Sequence, residues 1–253
     1  MQALSGSQMG DLQLLLATLI ALLWPIYDHF IDWPRFRREL GENPRSARFR
    51  EYRWSILLQW ILAAGGALLW LAGPGGGEGL GLDFPTGWRL LASAAFLAPL
   101  LIVQGIYLVK AFRSERTRAY LRTHLQHVEA ILPRTTREMI MFLTLALTAG
   151  ICEEFLFRGY LLWVLAPLLN WWGAAMISVI SFGLLHVYQG RKGAIQAAIL
   201  AALFTALVMM ARSLVPAMVL HALIDMSSGL ITWIALTTPA PPGGGEPAAS
   251  PAA

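Results

Sequence analysis

Apolar residues run along this chain in long blocks, with no alternation of period two and little of period 3.6. The blocks cover about Leu12–Tyr27, Trp54–Ala72, Leu90–Phe112, Met139–Gly159, Trp171–Tyr188, Ala194–Met210 and Pro216–Leu236. Roughly 18–20 such residues are what a helix needs to cross a hydrocarbon layer, and inside lipid the backbone must pair with itself. The pattern predicts an all-α, polytopic transmembrane helical bundle of about seven spans. The count runs from six to eight, depending on Tyr160–Leu169, which stops at Pro167 and Asn170 and reads as a short interfacial piece. Trp54 and Trp70 suit the two interfaces of the second span, and Trp171-Trp172 reads as part of an aromatic belt.

The polar segments between the blocks set an orientation. Pro34–Arg53 carries seven arginines against three glutamates, and Lys110–Glu138 is again basic. Both read as solvated faces against anionic lipid on the cytoplasmic side, and Arg191-Lys192 agrees. The N-terminus then lies outside and the tail inside, in the plasma (inner) membrane. Gly73–Arg89 is rich in glycine and weakly charged, which fits a flexible connector on the opposite side. No helix follows those glycines closely enough to make a phosphate cradle. An amphipathic piece around Tyr120–Leu132 suits the interface, with His124 and His127 on a solvated face. The Pro, Gly and Ala tail Thr237–Ala253 has nothing to pack and reads as disordered. This divides the chain into N-terminal spans and basic loops (1–138), a chemistry-bearing helical core (139–236) and a tail (237–253), with no internal repeat.

Composition adds exclusions. Of 253 residues 57% are hydrophobic and 13% charged, where a soluble domain carries about 25% charge. The net charge of +4 is not a nucleic-acid signal, because the arginines sit in juxtamembrane blocks. The partners to expect are the bilayer and a membrane-associated protein or peptide, with no nucleic acid. A single cysteine excludes an internal disulfide and a Cys-based structural zinc site. The first apolar run lacks a basic leader and a clear small-residue cleavage site, so it is expected to be a retained anchor.

One block departs from this apolar background. Cys152-Glu153-Glu154-Phe155-Leu156-Phe157-Arg158-Gly159 puts three ionisable groups inside a span, where each costs about 2.5–3.5 kcal/mol on insertion scales. Such groups face a protein interior or a wet cavity. On a helix Glu154 and Arg158 stand at i, i+4 with the acid first and can neutralise each other. Glu153 points about 100° away and is left free. Cys152 points away from Glu153 with no basic partner, and reads as a small buried residue.

Two other spans repeat the spacing. Phe182-x-x-x-His186 and His221-x-x-x-Asp225 each set two side chains on one helix face. Ser178 joins the His186 face, and Gly183 permits close helix approach. A free carboxylate and an imidazole in a partly dry cavity can deprotonate a water for attack on a carbonyl. A second imidazole can donate to the developing oxyanion. The same atoms allow other readings. Glu153, His186 and His221, with Asp225, are conceivable Zn²⁺ ligands, although no His-Glu-x-x-His zincin motif occurs. A non-catalytic scaffold or immunity protein would use these groups only to hold spans together. A transporter is a further class, weakened by the absence of repeated halves.

Taken together, Glu153-Glu154-x-x-x-Arg158, Phe182-x-x-x-His186 and His221-x-x-x-Asp225 resemble, in that order, the three motifs of the CAAX-protease and bacteriocin-processing (CPBP) family of intramembrane endopeptidases. The run Arg212–Met218 is similar to the family's approach to its last motif, and the likeness covers about Met139–Leu230. The resemblance implies that Glu153 and His186 activate water, that His221 with the residue at 225 supports the oxyanion, and that Glu154 and Arg158 hold the helix. It favours a metal-independent glutamate mechanism over a zinc one. Asp225 departs from the commoner Asn of the family. It is expected either to be protonated or to accept from His221 and fix that ring's tautomer. Substrates implied by the family are prenylated C-termini, leader peptides or C-terminal sorting segments. A composition rich in Ala, Gly, Arg, Trp and Pro fits a high-GC bacterium and favours the latter two.

One conflict follows from straight spans. Counted from Met139, Glu153 and His221 fall in the outer half of the bilayer, while His186 lies near the inner end of its span. A kink at Gly150, a deeper fifth span or a re-entrant Tyr188–Gly193 would reconcile them.

Overall fold

The computed structural model describes residues 6–73, 81–125 and 128–239. Among them the regular structure is helical throughout, as the backbone of apolar blocks requires. We label the helices α1 (Gly10–Glu42), α2 (Pro44–Ala72), α3 (Trp88–Arg113), α4 (Glu115–His124), α5 (Thr136–Glu154), α6 (Leu161–Leu185), α7 (Gly190–Ala211) and α8 (Val215–Thr237). A π-helical turn, Phe155–Tyr160, joins α5 to α6 without a break.

Six helical runs are long and apolar enough to cross a membrane, and one of them, Thr136–Leu185, has 50 residues. That run reverses direction at Asn170 (φ 57°, ψ 174°). The rings of Phe157 and Phe182 stand 5.2 Å apart, and Ser178 Oγ donates to the Phe157 carbonyl at 2.7 Å. A straight helix would separate two residues 25 positions apart by about 37 Å. The run therefore passes twice, and the protein is a multi-pass membrane protein with seven crossing segments. The expectation for Tyr160–Leu169 needs correcting. The stretch is no interfacial piece but the continuation of α5 through the π turn, and Tyr160, Leu161 and Leu162 are buried.

The first span is also longer than its apolar block. α1 continues to Glu42 through π turns at Leu19–Leu23 and Asp28–Asp32, and Asn43 caps α2 by accepting from Ser46 N. The arginine-rich stretch is thus not wholly a solvated face. Phe36 and Tyr52 are fully buried, and Arg48 and Glu51 nearly so. Arg48 Nε donates to Ala130 O at 2.9 Å, and Arg48 Nη1 lies 3.6 Å from Glu138 Oε1. Tyr52 Oη donates to Ile131 O at 2.5 Å.

Those contacts dock the start of α5 on the arginine-rich turns of α2. With 29 residues, α2 rises about 43 Å, against a hydrocarbon layer of about 30 Å. Both helices therefore project beyond the apolar layer. This removes the depth conflict: α5 begins below the level of Trp54, so Glu153 comes opposite Gln59 and near the inner end of α6. No kink occurs at Gly150. A Cβ there would stand 2.7 Å from Ala222 N, so the glycine lets α8 lie directly on α5. Gly183 serves α7 similarly, with Ala198 Cβ at 3.0 Å. The chain after His186 forms a short 3₁₀ turn, Val187–Gln189, and enters α7 at once.

The expected amphipathic piece at Tyr120–Leu132 is two elements, α4 and a 3₁₀ turn at Glu129–Ile131. Arg122 of α4 clamps the end of α8, donating to Ala235 O and Thr238 O at 2.7 and 2.8 Å. Its other nitrogen reaches Glu115, and this hydrogen bond holds that carboxyl below its ordinary range. His124 is exposed and stacks on Tyr120, whereas His127, residues 74–80 of the Gly73–Arg89 loop and the tail beyond 239 lie outside the described residues. Trp70, expected at an interface, is buried against Trp163, with ring centroids 4.8 Å apart.

Candidate active site

The site forms where the last turn of α5, the end of α6 and the first half of α8 meet beside α2. Thr135 and Glu138 start α5 with a reciprocal capping box. Its last residues then deliver Glu153 toward α2 and Glu154 toward α8. The π turn follows immediately, a feature frequent at functional sites.

Glu154 and Arg158 pair as their spacing predicts, with Nη1 to Oε1 at 3.1 Å and both side chains fully buried. The guanidinium also lies over the Phe182 ring, 4.4 Å from its centroid, in cation–π contact. Glu154 has a further partner that spacing did not predict. His221 Nδ1 lies 2.8 Å from the same Oε1, so the ring donates there and its Nε2 is turned the other way. Nε2 stands 4.0 Å from Glu153 Oε2 and 3.5 Å from Asp225 Oδ2. Glu154 therefore holds Nδ1 of the ring, and Asp225 faces its Nε2.

Glu153 is held from the opposite side. Gln59 Nε2 donates to its Oε1 at 3.1 Å, while Oε2 is buried without a hydrogen-bond partner. His186 Nδ1 lies 2.8 Å from Phe182 O. Donation to that carbonyl leaves Nε2 as an acceptor.

A cavity of about 330 Å³ runs between α5 and α8. It starts among Leu125, Ile131 and Leu132 at the arginine-rich end, passes Phe142, Ala149 and Ser228, and ends on Glu153, His186 and Asp225. Glu153, Glu154, Arg158, His221 and Asp225 are thus linked by direct contacts, and His186 joins Glu153 on one cavity wall. Asp225 is the most open of them, with 38% of its side chain exposed. Cys152 is buried and free. Among the described residues no group of three or more His, Cys, Asp or Glu side chains is disposed to hold a metal ion.

Sequence reasoning passed over Gln59. Its signal was a lone amide in the apolar block Trp54–Ala72. It is 4% exposed, and a buried amide inside lipid requires a partner.

No curated protein and no solved structure gave a match to the chain. The family model described as type II CAAX prenyl endopeptidase Rce1-like matches residues 135–227. That segment runs from the N-cap of α5 to two residues past Asp225 and holds all seven motif residues. Over residues 135–227 the chain is therefore similar to the type II CAAX prenyl endopeptidases that this model describes.

Proposed function

We propose that the protein is a glutamate-dependent intramembrane endopeptidase that cuts a membrane-associated protein or peptide without a metal. The observation that carries this reading is that Glu153 and His186 line the wall of one cavity, with Glu153 Oε2 unpartnered and His221 Nε2 4.0 Å from it.

In this mechanism the Glu153 carboxylate takes a proton from a water that His186 Nε2 holds by accepting from it. The hydroxide oxygen bonds to the carbonyl carbon, and the carbonyl electrons move to its oxygen. His221, as the imidazolium with Nδ1–H held by Glu154, donates from Nε2 to that oxyanion. Collapse breaks the C–N bond, and the proton held by Glu153 passes to the leaving nitrogen. Asp225 lies at the cavity face next to His221 and keeps that ring's Nε2 turned to the reacting centre.

The substrate enters from the arginine-rich side, which we assign to the cytoplasm of a bacterial plasma membrane. There the cavity begins with apolar walls, suited to a leader peptide or a C-terminal sorting segment. The test is to compare membrane-protein termini in cells carrying the wild type, Glu153→Gln or no copy of the gene. Termini that vanish in both of the latter support the reading. Identical termini in all three overturn it. The zinc alternative retains the same residues and is separated by chelation.

A further inference from the structure

A larger cavity lies on the side of the protein away from the arginine-rich turns. It measures about 590 Å³ and is bounded by the far end of α2, by α6 on either side of its reversal, and by the joint between α7 and α8. Its walls are apolar: Trp70 and Trp163, which stack on each other, with Leu162, Val208 and Leu214. It shares no lining residue with the cavity that holds Glu153 and His186.

One charge faces this apolar space. Among the described residues the charged groups lining it are Arg158 and Arg212, and no acid is among them. The Arg158 side chain is fully buried and paired with Glu154, which leaves Arg212, an exposed residue at the rim. Arg212 caps α7 at φ 52° and ψ 37°, the left-handed conformation that glycine ordinarily supplies there. The rim beside it is pinned, since Ser213 Oγ and Leu214 N both donate to Gly81 O at 3.2 and 2.6 Å. Among the described residues no carboxylate lies within ion-pair distance of Arg212.

The flank of the cavity opens to the bilayer. Trp171 Nε1 donates to Met209 Sδ at 3.2 Å, and both side chains are exposed. Met209 also borders an apolar groove of about 1,030 Å³ between the returning part of α6 and α7. The Trp171–Met209 contact is thus a bar with an apolar channel on either side, and Arg212 follows Met209 within one helical turn.

These features together select a ligand. Apolar space at membrane depth takes hydrocarbon in preference to water. A guanidinium pairs with phosphate through two parallel N–H donors, and basic positions between membrane helices hold lipid head groups. Two channels and one unpaired cation match two acyl chains and one anionic head. We infer that this face seats one anionic diacyl phospholipid, with its phosphate on Arg212 and a chain on each side of the Trp171–Met209 bar. Bound there, the lipid ties the α6 reversal to the α7–α8 joint. It takes no part in the chemistry at Glu153, so the seat stands apart from the endopeptidase reading.

The seat can be tested without a substrate. Delipidated, full-length protein in an uncharged detergent is titrated with dioleoylphosphatidylglycerol or dioleoylphosphatidylethanolamine, which share their chains and differ in net charge. Native mass spectrometry reads the affinity of the first bound lipid. The seat predicts that phosphatidylglycerol binds about tenfold or more tighter, and that Arg212→Gln brings it down to the phosphatidylethanolamine value. Arg89→Gln removes an arginine at the head of α3, on the same side but outside both channels, and should leave the preference intact. Met209→Trp narrows both channels and should weaken both lipids. Equal affinity of the wild type for the two lipids overturns the seat. So does an Arg89→Gln loss as large as that of Arg212→Gln, which would mark adsorption by surface charge alone. Unchanged affinities in Met209→Trp would show a head group held without its chains, and likewise overturn it.

Discussion

His221 and Arg158 meet at one atom: both approach Oε1 of Glu154, at 2.8 and 3.1 Å. The carboxylate that neutralises the buried guanidinium is therefore the one that orients the second imidazole. Structural and chemical roles coincide in this residue, and variants can separate them. Glu154→Gln leaves Arg158 buried without its counter-charge and should destabilise the protein by about 3–5 kcal/mol. Adding Arg158→Met removes the stranded charge and should restore abundance. Turnover should stay down by about 10²-fold or more in both, because the ring has lost its carboxylate partner. Recovery of turnover along with abundance would reduce Glu154 to a structural role.

Gln59 supplies the second hold on Glu153. Gln59→Leu removes a hydrogen bond to a charged group, worth about 1.5–3 kcal/mol. Turnover is expected to fall about tenfold or more at nearly unchanged abundance. Equal turnover at equal abundance would mean that Glu153 is positioned by α5 alone.

The contact of α5 with α8 depends on having no side chain at Gly150. Gly150→Ala brings a methyl to within 2.9 Å of Ala222 Cβ, N and Cα. The helices must separate, at about 1–3 kcal/mol, and Glu153 moves relative to His221. Ala222→Gly should not rescue the variant, because the backbone nitrogen stands at 2.7 Å as well. Thermal unfolding in detergent, read beside turnover, checks both statements.

How far the site could be read from the chain depended on whether its contacts were local. Glu154–Arg158 is a one-turn pair within continuous helix, and its spacing alone predicted the ion pair. The three motifs carried the family resemblance for the same reason, since each lies on a single helix. His221 with Glu154 and Gln59 with Glu153 join residues 67 and 94 positions apart, and no periodicity encodes such pairs. Depth failed for another reason. Hydrophobic blocks mark where lipid begins, whereas Arg48, Tyr52 and Glu138 make helix α5 start outside it. The reversal at Asn170 was visible only as a polar interruption after Pro167. Its backbone, at φ 57° and ψ 174°, is a conformation natural to glycine.

That last position gives a stability prediction. Asn170 Oδ1 accepts from Trp172 N and Gly173 N at 3.0 and 3.2 Å, which starts the returning helix. Asn170→Val loses this cap and adds a branched side chain to an unfavourable backbone, so it should cost about 2–4 kcal/mol. Asn170→Gly relieves the backbone and should cost about 1 kcal/mol or less. Melting temperatures of the two variants test the order.

Metal dependence is decided by chelation. Turnover in purified membranes is expected to persist after extended treatment with a strong Zn²⁺ chelator. Loss on chelation with recovery on added Zn²⁺ would instead make Glu153, His186 and His221 the ligands.

The central claim is that Glu153 is the base of a peptide-hydrolysing site. Its most direct test is the rate at which Glu153→Gln, at wild-type abundance, generates the termini that the wild-type protein generates in the same membranes. The account predicts a fall of about 10²–10⁴-fold, and a rate within about twofold of wild type would contradict it.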